Sequence, residues 1–243
     1  MPRFYCDLPL APGQLLELPP EAVRHATGAL RLREGAAITL FNGDGGEYAG
    51  TLELRGKHVF ARLAERAEPG RESPLDIILA QGISSGERMD ITLQKAVELG
   101  VGGIRPLMMR RTVVKLSADK AERRLAHWRG VVVAACEQCG RNTVPPVEDI
   151  GECLEWLKSA QVAGAAARYL LDPEGTCGLG DLAAPAGAVL LLAGPEGGFD
   201  PVERAAALRA GFQPLRLGSR VLRTETAALA ALAAMQALWG DFR

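Results

Sequence analysis

The stretch "LLLAGPEGGFDPVE", Leu190–Glu203, puts three kinds of structure side by side. With the two residues before it, "AVLLLA" is a continuous apolar run. That is the pattern of a parallel strand buried on both faces. "GPEGG" is a turn, and a helix is expected from about Pro201 to Ala210. A glycine turn at the carboxyl end of such a strand lies where open α/β sheets bind their ligands. Two common phosphate loops are excluded. "GPEGGF" is not the G-x-G-x-x-G fingerprint, and no Gly-Lys-Ser/Thr closes the turn. A carboxylate, Glu196, stands in the middle of it and would repel a phosphate. The ligand this turn suits is nucleotide-like and free of phosphate. Three roles stay open for Glu196: facing a cationic ligand, capping the following helix, or pairing with an arginine.

Working outward, the rhythm of the chain changes near Pro69–Pro74. Before it, "AAITLFNGDGGEYAGTLEL" reads as two strands around a turn at Asn42–Gly46, and "HVFARLAE" continues the alternation. This predicts a small β-rich domain over residues 1–70, of barrel type because so small a sheet must hide its edges. After the linker, over residues 74–243, strands and helices alternate. "DIILAQGI", "GIRPLM", "ARYLLD", "AVLLLAG" and "PLRLG" are strands. Helices are expected at Glu87–Leu99, from Ala118 to near Gly140, near Pro201–Ala210 and at Arg223–Trp239. Alternation of this kind implies an α/β domain with a mainly parallel sheet.

Composition narrows the class. Of 243 residues 48% are hydrophobic and 23% charged, which suits a globular chain with ample core. No apolar run is long enough to span a bilayer, and the N-terminus lacks a signal-peptide core, so a cytoplasmic protein is expected. Five scattered cysteines fit a reducing compartment. Cys136-Glu137-Gln138-Cys139 spells C-x-x-C without a second ligand pair, so no metal is expected and both thiols read as core or interface groups. The net charge of −1 hides an uneven distribution: residues 84–145 hold eleven Lys/Arg and six Asp/Glu. A basic segment in a neutral chain is the footprint of a nucleic-acid surface. Arg110, Arg111 and Lys115 are its candidates, and Arg123 and Arg124 beside Glu122 read as a solvated helix face.

A second motif, "LRLGSRVLRTETAALAAL" at Leu215–Leu232, runs from a strand through a basic loop into a helix. Thr224 and Glu225 suit a helix N-terminus, by supplying an oxygen for a free amide and a negative charge. Capping leaves Arg220 and Arg223 unexplained.

Together, "GPEGGF" and "LGSRVLRTETA" resemble the two C-terminal motifs of SPOUT methyltransferases, and most closely the bacterial RsmE type, which methylates N3 of a uridine in 16S ribosomal RNA. Similar stretches are "RFY" at Arg3, "HATGALRLREG" at His25, "ESPLDIILAQGISSGERMDITLQKAVELGV", "RRTVVK" at Arg110 and "AACEQCGRNTVP" at Ala134. They cover nearly the whole chain in order. The histidine motif departs from the usual Val-Leu-Arg with Gly28-Ala29-Leu30-Arg31. The resemblance implies a PUA-like barrel followed by an α/β domain with a C-terminal trefoil knot, a homodimer, S-adenosylmethionine as cofactor, and 16S ribosomal RNA of the small subunit as partner. It places Leu192, Gly194, Glu196, Gly197 and Gly198 on one wall of the cofactor site, and Leu217, Gly218, Val221, Leu222, Arg223 and Thr226 on the other. For RNA it marks Arg3, Arg31, Arg110, Arg111, Lys115 and Arg141.

The chemistry adds roles. Uridine N3 must lose a proton, and a cation beside the base stabilises the anion. Arg223 or Arg3 could supply it, with Glu225 or a water accepting the proton. Rival readings are a SPOUT enzyme acting on transfer RNA or a ribose hydroxyl, a non-catalytic RNA-binding factor, and a nucleotide-dependent oxidoreductase. The missing fingerprint counts against the last.

Overall fold

The computed structural model describes residues 1–242, which cluster into two compact units. The first comprises Met1–Glu72 and, from much later in the chain, Cys136–Val144. The second comprises Ser73–Ala135 and Pro145–Arg243.

In the first unit five strands form one sheet: β1 (Arg3–Tyr5), β2 (Leu15–Glu17), β3 (Ala37–Phe41), β4 (Glu47–Arg55) and β5 (His58–Ala67). Their order is β1-β3-β4-β5-β2, with β1 parallel to β3 and the other pairs antiparallel. The Asn42–Gly46 turn joins β3 to β4, with Gly43 and Gly45 at φ of 94° and 92°. Among the described residues no ladder joins β1 to β2. By strand pairing, the expected barrel is therefore an open five-stranded sheet whose edges are kept to three residues each. A short helix α1 (Pro20–Val23) and a π-helical turn (Arg24–Ala29) bury Ala22 and Ala26 against Phe4, Ile38, Leu40 and Leu52.

The returning segment is tied in by its polar groups. Glu72 accepts from Arg141 Nε at 2.8 Å and from the Asn142 and Thr143 amides at 3.1 Å each. Asn142 accepts from Arg3 at 2.5 Å, and Glu137 accepts the Tyr5 amide at 2.9 Å.

In the second unit six parallel strands are β6 (Ile77–Gly82), β7 (Gly103–Met108), β8 (Gly151–Glu152), β9 (Ala167–Leu171), β10 (Val189–Ala193) and β11 (Gln213–Leu215), in the order β11-β9-β10-β6-β7-β8. All five residues of β10 are buried, which is what its unbroken apolar run requires. The helices are α2 (Glu87–Glu98), α3 (Ala118–Cys139, crossing into the first unit at its end), the short α4 (Cys153–Trp156) and α5 (Ala160–Gly164), α6 (Pro201–Arg209) and α7 (Thr224–Trp239). The Ala/Leu-rich α7 packs on α2, β6 and β10. The strands and long helices read from hydrophobic pattern fall within a few residues of these bounds. β8, α4 and α5 are too short to leave a periodic signal.

A candidate active site at the ends of three parallel strands

Three loops leave the carboxyl ends of β9, β10 and β11 and enclose a cavity of about 720 Å³. Each loop has a local reason for its shape. After β9, Asp172 accepts the Glu174 amide at 2.9 Å and Arg204 Nε at 2.7 Å, which fixes the Asp-Pro-Glu-Gly turn. After β10, the Gly198 amide donates to Pro195 carbonyl at 2.9 Å, and Gly198 takes a φ of 68°. The turn ends where Asp200 caps α6 by accepting the Val202 amide at 2.9 Å, with Pro201 at the first helical position. After β11, residues 216–223 run without regular structure to the start of α7.

Glu196 neither caps α6 nor stands free. Its Oε1 accepts the Ser85 amide at 2.7 Å, the Ser85 hydroxyl at 2.6 Å and Arg88 Nη1 at 3.0 Å. Burial pushes its pKa up, but the two Ser85 bonds, its own amide and Arg88 outweigh that and hold it down at about 2. Its other oxygen, Oε2, is buried and has no donor among the described residues.

The walls are joined from behind. The fully buried Gln81, at the end of β6, donates from Nε2 to the Thr224 hydroxyl at 2.9 Å, to Gly82 carbonyl at 3.0 Å and to Gly194 carbonyl at 3.3 Å. Thr224 Oγ1 in turn donates to Gly194 carbonyl at 2.5 Å. Thr224 is thus not the cap expected of it. Arg223 occupies the capping position and makes no side-chain cap bond, while the threonine hydroxyl links the start of α7 to the loop after β10.

The cavity is mixed in character. Leu171, Leu215, Leu217 and Leu222 give it apolar walls, and Glu196, Glu225 and Arg223 bring charge. Glu225 Oε2 is a second buried acceptor without a donor among the described residues. The Arg223 guanidinium is exposed and has no hydrogen-bond or ion-pair partner among the described residues.

Comparison with known proteins decides what this arrangement belongs to. The RNA methyltransferase domain family matches residues 71–236, and the RNA methyltransferase PUA domain family matches residues 18–63. Ribosomal RNA small subunit methyltransferase E of Buchnera aphidicola (subsp. Schizaphis graminum) is 31% identical over 99% of this chain and 98% of its own length. That of Bacillus subtilis is 31% identical over 97% and 96%. The chain belongs to the ribosomal RNA small subunit methyltransferase E family. A crystal structure of a family member from Neisseria gonorrhoeae bound to S-adenosyl methionine is 46% identical, covers 100% of both chains and has a TM-score of 0.92.

In this member of the methyltransferase E family the expected site residues divide. Gly194, Glu196, Gly198, Leu217, Val221, Leu222, Arg223 and Glu225 all line the cavity. Leu192, Gly197, Gly218 and Thr226 do not. Leu192 is fully buried within β10. Gly197 answers a different demand from the expected close approach to a ligand. A Cβ there would stand 2.8 Å from Arg111 carbonyl, so the glycine lets the segment after β7 lie against the turn. Pattern reading passed over the third wall, Leu171–Glu174. The Asp-Pro turn after an apolar strand was its available signal.

The expected RNA contacts divide as well. Arg110 is held by Asp200 at 3.3 Å, and Arg111 donates to Gly197 carbonyl at 3.2 Å. Lys115 is exposed and has no partner among the described residues, as is the case for Arg31, whose backbone φ of 50° marks a left-handed turn. Arg141 lies inside the first unit, buried, with Glu72 at 2.7 Å. Arg3 is likewise committed within that unit, to Glu47 at 2.5 Å, to Asn142 and to the face of Phe41 at 5.0 Å. A guanidinium so held ties β1 to the returning segment within that unit. His25 packs edge-on against Phe4 and faces Glu137 at 3.5 Å. Cys136 is buried, and that burial pushes its thiol up to about 12, so it is inert.

Proposed function

We propose that this chain methylates N3 of a uridine in 16S ribosomal RNA of the small subunit, with S-adenosylmethionine as methyl donor. Membership of the methyltransferase E family supports the reaction class. The observation that carries the proposal is the convergence of both C-terminal motifs on one cavity, with an unpaired arginine and a half-satisfied carboxylate in its wall.

The residues present fit the cofactor. About 720 Å³ is within the range of small-molecule sites, the leucines suit an adenosine body, and two buried acceptor oxygens without donors suit a cationic ligand. Gly194, Leu217 and Leu222 would hold it, with Glu196 keeping the turn in place. When bound, S-adenosylmethionine supplies an activated methyl group on a cationic sulfur. The chain's own residues do the rest. Arg223, free at the entry to α7, lies in the wall where a uracil anion needs a positive neighbour. Glu225, two residues on, offers an oxygen that can take the N3 proton directly or through water. N3 lies on the Watson–Crick edge, so the target must be unpaired or flipped out.

The same reading includes the trefoil knot of the SPOUT fold around the loops after β10 and β11, a homodimer, a cytoplasmic location, and a division of labour between residues 1–70 as an RNA-binding PUA-like domain and residues 74–243 as the catalytic domain. The family likeness supports these. The test is methylation of small ribosomal subunits from a strain lacking the activity, followed by nucleoside mapping. 3-Methyluridine in 16S RNA is expected; product on a ribose hydroxyl or on transfer RNA overturns the assignment.

A further inference from the structure

The cations of the basic segment sort themselves. Of the eleven Lys/Arg in residues 84–145, six have a carboxylate partner: Arg88, Lys95, Arg105, Arg110, Arg129 and Arg141. Arg111 donates to a carbonyl. The four left without a partner among the described residues, Lys115, Lys120, Arg123 and Arg124, all line one cleft of about 350 Å³ together with Val114 and Leu116. Asp119 and Glu122 sit on the same helix turns, yet neither pairs with these cations. Four like charges around one cleft repel one another, by roughly 1 kcal/mol per close pair in water. Within this segment the other seven cations each have a carboxylate or carbonyl partner, and this set is left bare.

We infer that this cleft, between the segment before α3 and the first turns of α3, is a phosphate-binding surface for the sugar–phosphate backbone of RNA. Arg123 and Arg124 then belong to the RNA surface, contrary to their reading as a solvated helix face. Arg110 and Arg111 belong to the loop scaffold. The Val114 and Leu116 side chains offer no donors to base edges, and no aromatic side chain lines the cleft for stacking. Its recognition is therefore electrostatic and positions the RNA without reading its sequence. The inference rests on the functional reading above for its partner, ribosomal RNA.

The experiment measures binding of the K120A/R123A/R124A variant to protein-free 16S RNA and to small subunits over a series of salt concentrations. Loss of about three phosphate contacts should make the slope of log K against log salt shallower by about 2 and weaken binding roughly tenfold or more at low salt. KM for subunits should rise accordingly, and S-adenosylmethionine affinity should match wild type by calorimetry. Lys158→Ala, which removes an exposed cation paired with Glu155, is the control and should keep the wild-type slope. A wild-type slope in the triple variant overturns the inference. So does a loss confined to subunits and absent on protein-free RNA, which would assign the cleft to a ribosomal protein. A wild-type chain that binds RNA with the steep slope but methylates nothing would remove the functional reading and leave this surface standing.

Discussion

At the scale of single residues, Glu196 and Arg223 do different work although both line the cavity. Glu196 is a carboxylate held by three donors, with its pKa held at about 2. Its folded value lies below the unfolded value of about 4.3. Its contribution to stability is therefore present above that value and lost as pH falls from about 4.3 toward 2. Glu196→Gln keeps the shape but removes the charge. Urea titrations should show it less stable at pH 7 by about 1–3 kcal/mol, the scale of hydrogen bonds to a charged group. The gap to wild type should close as pH is lowered through that window, and a gap that stays constant would show that the charge is not what holds the turn. The Arg223 side chain holds no partner among the described residues, so Arg223→Ala should leave the unfolding curve within about 0.5 kcal/mol of wild type. It should lower kcat by about 10²–10³-fold, the cost of losing one donor to a developing anion. Wild-type turnover would remove Arg223 from the chemistry. Both residues were visible in the sequence as charges in loops that leave strands, but what Glu196 touches stayed open. Its partners Ser85 and Arg88 lie 111 and 108 residues away, a separation no local pattern encodes.

At the scale of elements, the cavity depends on how β6, the loop after β10 and the start of α7 are held together. Hydrophobic rhythm made each element legible, because burial on two faces or one imposes its period on the sequence. The buried Gln81 that joins them was not legible: one amide in an apolar strand breaks the pattern and points nowhere. Its three donor contacts and the Thr224–Gly194 bond make one network. Gln81→Leu and Thr224→Val each remove a part of it at nearly constant volume. Each should weaken S-adenosylmethionine binding by up to about tenfold, matching a net hydrogen-bond value of about 1 kcal/mol. The double variant should lose less than the sum, since both act on one tie. Thr224→Ser keeps the hydroxyl and should restore affinity. Calorimetry on the four proteins settles it: strictly additive losses, or a serine variant as weak as valine, would show that the network does not set the spacing of the walls.

At the scale of the molecule, the first unit is not a continuous piece of sequence. The change of rhythm at Pro69–Pro74 separates two patterns of secondary structure. It says nothing of Cys136–Val144, a helix end and loop that rejoin the first unit through Glu72, Arg3 and Tyr5. Arg141 is where the two readings part. Sequence resemblance makes it an RNA contact, so its loss should flatten the salt dependence of RNA binding by about 1 in slope. The structure buries it against Glu72, which keeps the Asn142 and Thr143 amides, so its loss should cost about 1–3 kcal/mol of stability in the first unit, with the salt slope unchanged. Arg141→Ala separates these outcomes in one pair of measurements, urea unfolding and RNA affinity against salt. A stable variant with a shallower slope would return Arg141 to the RNA surface. An unstable one with the wild-type slope, alongside a shallow slope in K120A/R123A/R124A, would place the chain's RNA-binding charge on the unpaired cations of the second unit and leave the paired ones to the fold.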